Sequence, residues 1–258
     1  MNIQTSKDIA IMKEGGGRLG NILLQLLDAA GPGVSLELIE KMADDLIVKA
    51  GGAASFKSVA GYRWATCLCV NEVVVHGIPT PYVLKKGDVL TIDVGLIYQG
   101  FHTDTAWTKI IGNQKDGTSN TEEKKRFLKI GEEAMWQAIE QARIGNRIGH
   151  ISQTIQRIIE GAGYNIVKTL VGHGVGRELH EAPQIPGYLK GSIEGTPELQ
   201  NGMTIAVEVI YAAGSGAIVY DNADGWTLAT QDRSLSAVFE HSIAIRPEGP
   251  LILTKAQM

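Results

Sequence analysis

The segment Leu90-Thr91-Ile92-Asp93-Val94-Gly95-Leu96-Ile97-Tyr98-Gln99-Gly100-Phe101-His102-Thr103-Asp104-Thr105 decides how the chain is read. Gln99-Gly100 suits the two-residue turn of a β-hairpin. A turn there sets residue 93 opposite 106 and 95 opposite 104. Asp93 and Asp104 then become diagonal neighbours on one sheet face, with Cβ atoms ~7–8 Å apart or slightly closer. Asp is depleted in strands, and two carboxylates flanked by Ile92, Val94 and Ile97 repel if buried. A cation between them removes that cost and uses the oxygens. A plainer reading also fits the spacing: one Asp faces water and the other caps a turn.

Working outward, three further segments carry polar groups where apolar ones would be expected. Gly172-His173-Gly174 is a glycine-flanked His that follows a strand-like run. Glycine on both sides lets other chain or a ligand come close. Glu208 interrupts the apolar strand 205–210, and Glu240 interrupts 237–245. A lone Glu in an apolar strand is costly unless it is paired or bound to metal, although each position taken singly also fits a solvated one. Together Asp93, Asp104, His173, Glu208 and Glu240 make a carboxylate-rich set suited to two adjacent divalent cations about 3.5–4 Å apart. A closed structural zinc site would favour Cys and His instead. Mn²⁺, Fe²⁺ or Co²⁺ suit such a set. No H-E-x-x-H occurs, which excludes a helix-borne zinc protease.

Two other histidines sit in suggestive places: His76 at the end of a strand, in Asn71-Glu-Val-Val-Val-His76-Gly77-Ile78-Pro79, and His180 in Leu179-His180-Glu181-Ala-Pro183. A packed or exposed His remains the plain alternative for both, and is the reading for His102, His150 and His241. Gly15-Gly16-Gly17-Arg18-Leu19-Gly20 matches G-x-G-x-x-G but follows a helical pattern rather than a strand, so a dinucleotide site fails on context. Gly214-Ser215-Gly216 lacks the spacing of a nucleophile elbow. Cys67 and Cys69 share a strand face, which reads as packing or as a thiol bordering a pocket.

The frame around these residues is ordinary. In 258 residues, Lys and Arg total 24 against 28 Asp and Glu, a net charge of −4. Without a basic excess, nucleic-acid binding is not expected. With 44% hydrophobic and 20% charged residues the chain is no disordered tail. Two cysteines exclude a disulfide framework and suit a reducing compartment. The N-terminus lacks an apolar signal region, and the apolar stretch 203–220 is broken by Glu208 and Gly214-Ser215-Gly216, so it cannot span a bilayer. A cytoplasmic, membrane-free protein is expected.

Apolar periodicity predicts helices over 6–29 (Thr5 or Ser6 as cap), from Ser35 to Gly51-Gly52, from Asn120 or Thr121 onward, and from about Ile151 to Glu160. The glycine triplet 15–17 sits badly in the first, at up to ~1 kcal/mol per residue. Strands are expected over 66–75, 88–97, 102–111, 165–171, 203–211, 216–221, 226–230 and 236–246. Runs of helices alternating with runs of strands predict an α+β fold, helices on one side of an antiparallel sheet. The repeated order hints at two similar halves in one domain, 1–258.

In order along the chain, NEVVVHGIP (71–79), LTIDVGLIYQGFHTDT (90–105), GHGVGRELHEAP (172–183), the Glu208 strand and SLSAVFEHS (234–242) resemble the type I methionine aminopeptidases over roughly residues 6–246. The resemblance implies a pita-bread fold, an antiparallel sheet with pseudo-twofold halves and flanking helices. It implies a dinuclear site in which Asp104 and Glu240 bridge, Asp93 chelates one metal, and His173 with Glu208 completes the other. It further implies His76 at the amine or amide side of the substrate, His180 at the scissile carbonyl, Glu208 as general base, and Tyr62, Cys67, Leu179 and Trp226 around the methionine side chain. The implied reaction removes N-terminal methionine when the second residue is small. Expected partners are nascent polypeptides and the ribosome presenting them, with the chain acting as a monomer. The choice among Co, Mn, Fe, Zn and Ni stays open. An Xaa-Pro peptidase and a metal-free binding protein of the same fold are the alternatives. Val209 replaces the Pro usual in the family after Glu208, and Val75 replaces a frequent Cys before His76.

Overall fold

A computed structural model describes residues 3–112 and 119–256. Thr5 opens helix α1 (Ser6–Ala29): its hydroxyl accepts the Asp8 N–H while the Asp8 carboxylate accepts the Thr5 N–H. This reciprocal cap satisfies two donors that a helix start otherwise leaves open. Ser35 caps α2 (Leu36–Lys49) by accepting the Leu38 N–H. The remaining helices are α3 (Ser119–Glu140) and α4 (Ile148–Gly161). The strands are β1 (Ala53–Ala54), β2 (Thr66–Val70), β3 (Val73–Val75), β4 (Val89–Tyr98), β5 (Phe101–Ile110), β6 (Asn165–Ile166), β7 (Val171–Gly174), β8 (Glu181–Pro186), β9 (Thr204–Ala212), β10 (Ile218–Tyr220), β11 (Leu228–Thr230), β12 (Ser236–Arg246) and β13 (Gly249–Ile252).

The main sheet runs β1-β4-β5-β12-β9-β7-β8, with β2 also on β4, β6 on β9 and β13 on β12; a small sheet runs β10-β11-β3. Every pair in the main sheet is antiparallel. Strands of period two bury one face under helices. Ile92, Val94 and Leu96 of β4 pack with Leu19, Leu26, Ile39 and Ile47 of α1 and α2. Val207, Val209, Tyr211 and Phe239 of β9 and β12 pack with Phe127, Met135, Ile151 and Ile155 of α3 and α4. Two helices over a strand pair, repeated, form the two expected halves, and the opposite sheet face is left to the site.

The Gln99-Gly100 turn forms as expected, with Tyr98 opposite Phe101 and both turn residues at positive φ (48° and 80°), the geometry that matches strand twist. The first two glycines of the triplet are a packing requirement: a Cβ on Gly15 would lie 2.7 Å from Tyr98 Cβ, and one on Gly16 2.5 Å from the Leu253 carbonyl oxygen. Helix propensity is given up for the close approach of α1 to the strands.

Several expected boundaries shift. The run 66–75 is two strands, because Asn71 takes a left-handed φ of 56° and β3 leaves the main sheet to pair with β11. The run 165–171 is strand at 165–166 and again only at its last residue, Val171, where β7 begins, so His173 lies within a strand rather than after one. Helix α4 begins three residues before the expected Ile151, with His150 Nδ1 accepting the Arg147 N–H at 3.0 Å in place of the usual hydroxyl or carboxylate cap. Strand β8, with Pro183 and Pro186, was unforeseen; proline in a run signals an edge, and β8 is the sheet edge.

Candidate active site

The hairpin register is the expected one, Asp93 opposite Ala106 and Gly95 opposite Asp104. Neighbouring strands extend it into two rungs across the helix-free face. The first runs Cys67, Asp93, Ala106, Glu240, Glu208, each opposite the next, over β2, β4, β5, β12 and β9. In the second, Asp104 donates its N–H to Ser242 Oγ (2.9 Å), Ser242 faces Ala206, and Ala206 faces His173. Small residues at Gly95, Ala106, Ala206 and Ser242 alternate with the ionisable ones and keep the floor open between them. The glycines around His173 admit neighbouring chain: a Cβ on Gly172 would lie 2.6 Å from the Ala206 carbonyl, and one on Gly174 2.5 Å from that of Ala182.

The four acids and the imidazole therefore meet. Ligand atoms of Asp104, His173 and Glu240 lie within 4.8 Å of one another. His173 Nε2 stands 3.9 Å from Asp104 Oδ2 and 3.9 Å from Glu208 Oε1. His173 Nδ1 donates to the Gly174 carbonyl at 2.8 Å, which aims the Nε2 lone pair at the acids. Asp93 Oδ1 and Asp104 Oδ1 are buried without a hydrogen-bond partner. Burial pushes all four carboxyl groups upward, Glu208 to about 8, with Asp93 adding repulsion on Glu208 and Asp104, and Asp104 on Glu240. Burial and the nearby His180 hold His173 down to about 4. Orphaned oxygens, four crowded acids and an aimed imidazole fit divalent cations and little else.

Above this floor is a recess of about 160 Å³. Tyr62, Cys67, Leu179 and Trp226 line it together with Phe56 and Val59. Tyr62 packs edge-on against Trp226 (ring centroids 5.1 Å) and Phe56 (6.4 Å). Its hydroxyl donates to the Thr66 carbonyl at 2.8 Å, so its polar end is satisfied and the wall stays apolar. His76, at φ 56° just past β3, and His180, edge-on to His173 at 4.5 Å, stand at the mouth. Burial lowers the pKa of both, so each imidazole is neutral at pH 7. A second chamber sharing His76, His173, His180 and Glu208 opens past Leu170, Gln184 and Ile210.

Val209 lies in the core under α3 and α4, on the face opposite Glu208, and β9 stays paired with β12 on both sides of it. His102 and His241 are buried, as packed histidines, and His150 serves as the α4 cap. Phe56 and Val59 were missed; they open and cap a three-residue 3₁₀ turn with no periodicity to mark it.

An antiparallel sheet with helices on one face thus carries on the other a carboxylate-lined cluster whose donors suit divalent cations. The model of metallopeptidase family M24 matches residues 10–247, and the chain belongs to that family. It is 39% identical over 252 residues to methionine aminopeptidase 1 of Bacillus subtilis, covering 98% of each chain. The methionine aminopeptidase of Thermotoga maritima superposes with a TM-score of 0.92 at 38% identity, covering 99% of both chains. Within family M24 the chain falls with the methionine aminopeptidases. A prolidase from Pyrococcus horikoshii shares the pita-bread fold alone, with a TM-score of 0.75 at 22% identity and 64% of its length covered. Among the described residues no helix is long and apolar enough to cross a membrane.

Proposed function

We propose that the protein removes the N-terminal methionine of nascent polypeptides, chiefly where the second residue is small, using a pair of divalent cations held by Asp93, Asp104, His173, Glu208 and Glu240. The observation that carries this reading is the apolar recess set directly over the two rungs of acids. A pair of bound divalent cations supplies Lewis acidity, lowering the pKa of water and polarising the scissile carbonyl.

The chain's own residues do the rest. Glu208, as the carboxylate, takes a proton from the attacking water and returns it to the leaving amine. His180, neutral, donates a hydrogen bond to the carbonyl oxygen as negative charge gathers there, an interaction of about 3–4 kcal/mol in comparable sites. His76 holds the scissile peptide in attack geometry. Tyr62, Cys67, Leu179 and Trp226, with Phe56, accept an unbranched thioether and exclude water. The following residues leave through the second chamber, past Val75, Leu170 and Ile210.

The test is a panel of peptides, Met-Ala-Ser, Leu-Ala-Ser and Xaa-Pro, offered to protein reconstituted with each of several divalent metals. Free methionine from the first alone is expected. Cleavage of Xaa-Pro would assign the site to the proline-specific branch, and no cleavage with any metal would leave a binding protein.

A further inference from the structure

The recess has walls from two chain segments that are distant in sequence. Residues 55–62 supply Phe56, Val59 and Tyr62; residues 175–180 supply Leu179 and His180. Neither segment belongs to the main sheet, so something must fix their separation. Both are tied to one residue. His102, at the start of β5 just past the hairpin turn, donates its backbone N–H to the Gly176 carbonyl at 2.7 Å. Its Nδ1 meets the Ser55 hydroxyl at 2.7 Å, and both groups are buried.

Each tie is stiffened on its far side. Ser55 donates its N–H to the Gly95 carbonyl (3.0 Å), and the Ser58 hydroxyl donates back to the Ser55 carbonyl (2.7 Å). Beyond Gly176, the Gly176 N–H reaches the Glu178 carbonyl, the Glu178 N–H reaches Glu181 Oε1 (3.0 Å), and Arg177 stacks over the Phe101 ring at 3.7 Å. A displacement of either tie is therefore passed to Phe56 and Tyr62 on one side and to Leu179 on the other.

We propose that His102 is a positioning residue that sets the width of the side-chain recess, and so its preference for an unbranched side chain, by joining the two wall segments. It acts through its neighbours and touches neither substrate nor metal. The proposal rests on the reading of the recess as the methionine pocket.

The test replaces each end of the side-chain tie. Ser55→Ala and His102→Phe remove it; His102→Asn keeps a polar atom where Nδ1 stands. The readouts are kcat/KM for Met-Ala-Ser against Leu-Ala-Ser, and the dissociation constant of free methionine by calorimetry, with metal content measured alongside. Both disrupting variants are expected to lose about fivefold or more of the preference for methionine and to bind methionine more weakly, at unchanged metal content. The double variant is expected to lose little more than either single, and His102→Asn is expected to recover most of the preference. Unchanged preference in Ser55→Ala, which removes one hydroxyl and carries little risk to folding, would overturn the proposal. So would His102→Asn behaving like His102→Phe. Wild-type protein that releases no methionine would instead overturn the underlying reading of the pocket.

Discussion

Glu208 and Glu240 stand directly opposite one another on β9 and β12, inside a sheet whose other face is a sealed hydrophobic core. Like charges at facing positions destabilise a sheet, and burial makes the cost larger. The arrangement is tolerable when the acids are protonated or when cations lie between them.

That relationship predicts a pH-dependent stability of metal-free protein. The four carboxyl groups have folded pKa values raised above their unfolded ones, so the folded state binds more protons and stability falls as pH rises from near 4 through the folded values, about 8 for Glu208. His173 and His241 are depressed to about 4, and their contribution is already complete above the unfolded value near 6.5. Chemical denaturation of metal-free protein between about pH 7 and about pH 8.5 should therefore show a loss of more than about 1 kcal/mol. Mn²⁺ should abolish the slope. Stability flat or rising over that window would contradict the burial of charge.

Asp104→Asn should lose metal. Asp104 Oδ1 is buried without a partner and Oδ2 lies beside His173, so an amide would place a donor where a cation is expected. Elemental analysis after dialysis should show less metal per chain than wild type; retained two-metal stoichiometry would remove Asp104 as a bridging ligand.

Turnover should separate from folding at His180. His180→Ala should reduce kcat by about 10²–10³-fold while the melting temperature of the metal-loaded protein stays near wild type, because the side chain stands at the pocket mouth. Glu208→Gln, which removes the proton carrier and a metal-holding carboxylate together, should cost at least about 10²–10⁴-fold. An His180→Ala variant with unchanged kcat would refute its role at the carbonyl.

Gly16→Ala sets two effects against each other. Alanine gains about 1 kcal/mol of helix propensity. Its Cβ would lie 2.5 Å from the Leu253 carbonyl oxygen, backbone that cannot swing aside, and overpacking of this kind costs about 1–3 kcal/mol. Net destabilisation is expected in thermal melts, and a stabilised variant would show that α1 is free to move away from the 253–254 backbone.

Much of this was legible in sequence because it follows from period two and one turn. Gln99-Gly100 sets the hairpin register, and the register puts Asp93 and Asp104 on one face. Glu208 and Glu240 were legible as charges in apolar strands. That β9 and β12 are neighbours, and that β12 joins them to the hairpin, is a matter of pairing between residues tens of positions apart (Glu208 with Glu240) to more than a hundred (Glu240 with Ala106), which local pattern does not encode. Phe56 and Val59 escaped because a three-residue turn has no period. The role of Gly15 and Gly16 escaped because the chain they accommodate, Tyr98 and Leu253, is remote. The early start of α4 escaped because a His does the work of a cap.

The account stands most directly on methionine release from Met-Ala-Ser as chelator-stripped protein is titrated with Mn²⁺. It predicts no release from stripped protein and a rise to saturation as metal is added. Release that is indifferent to stripping, or none at any metal concentration, would contradict it.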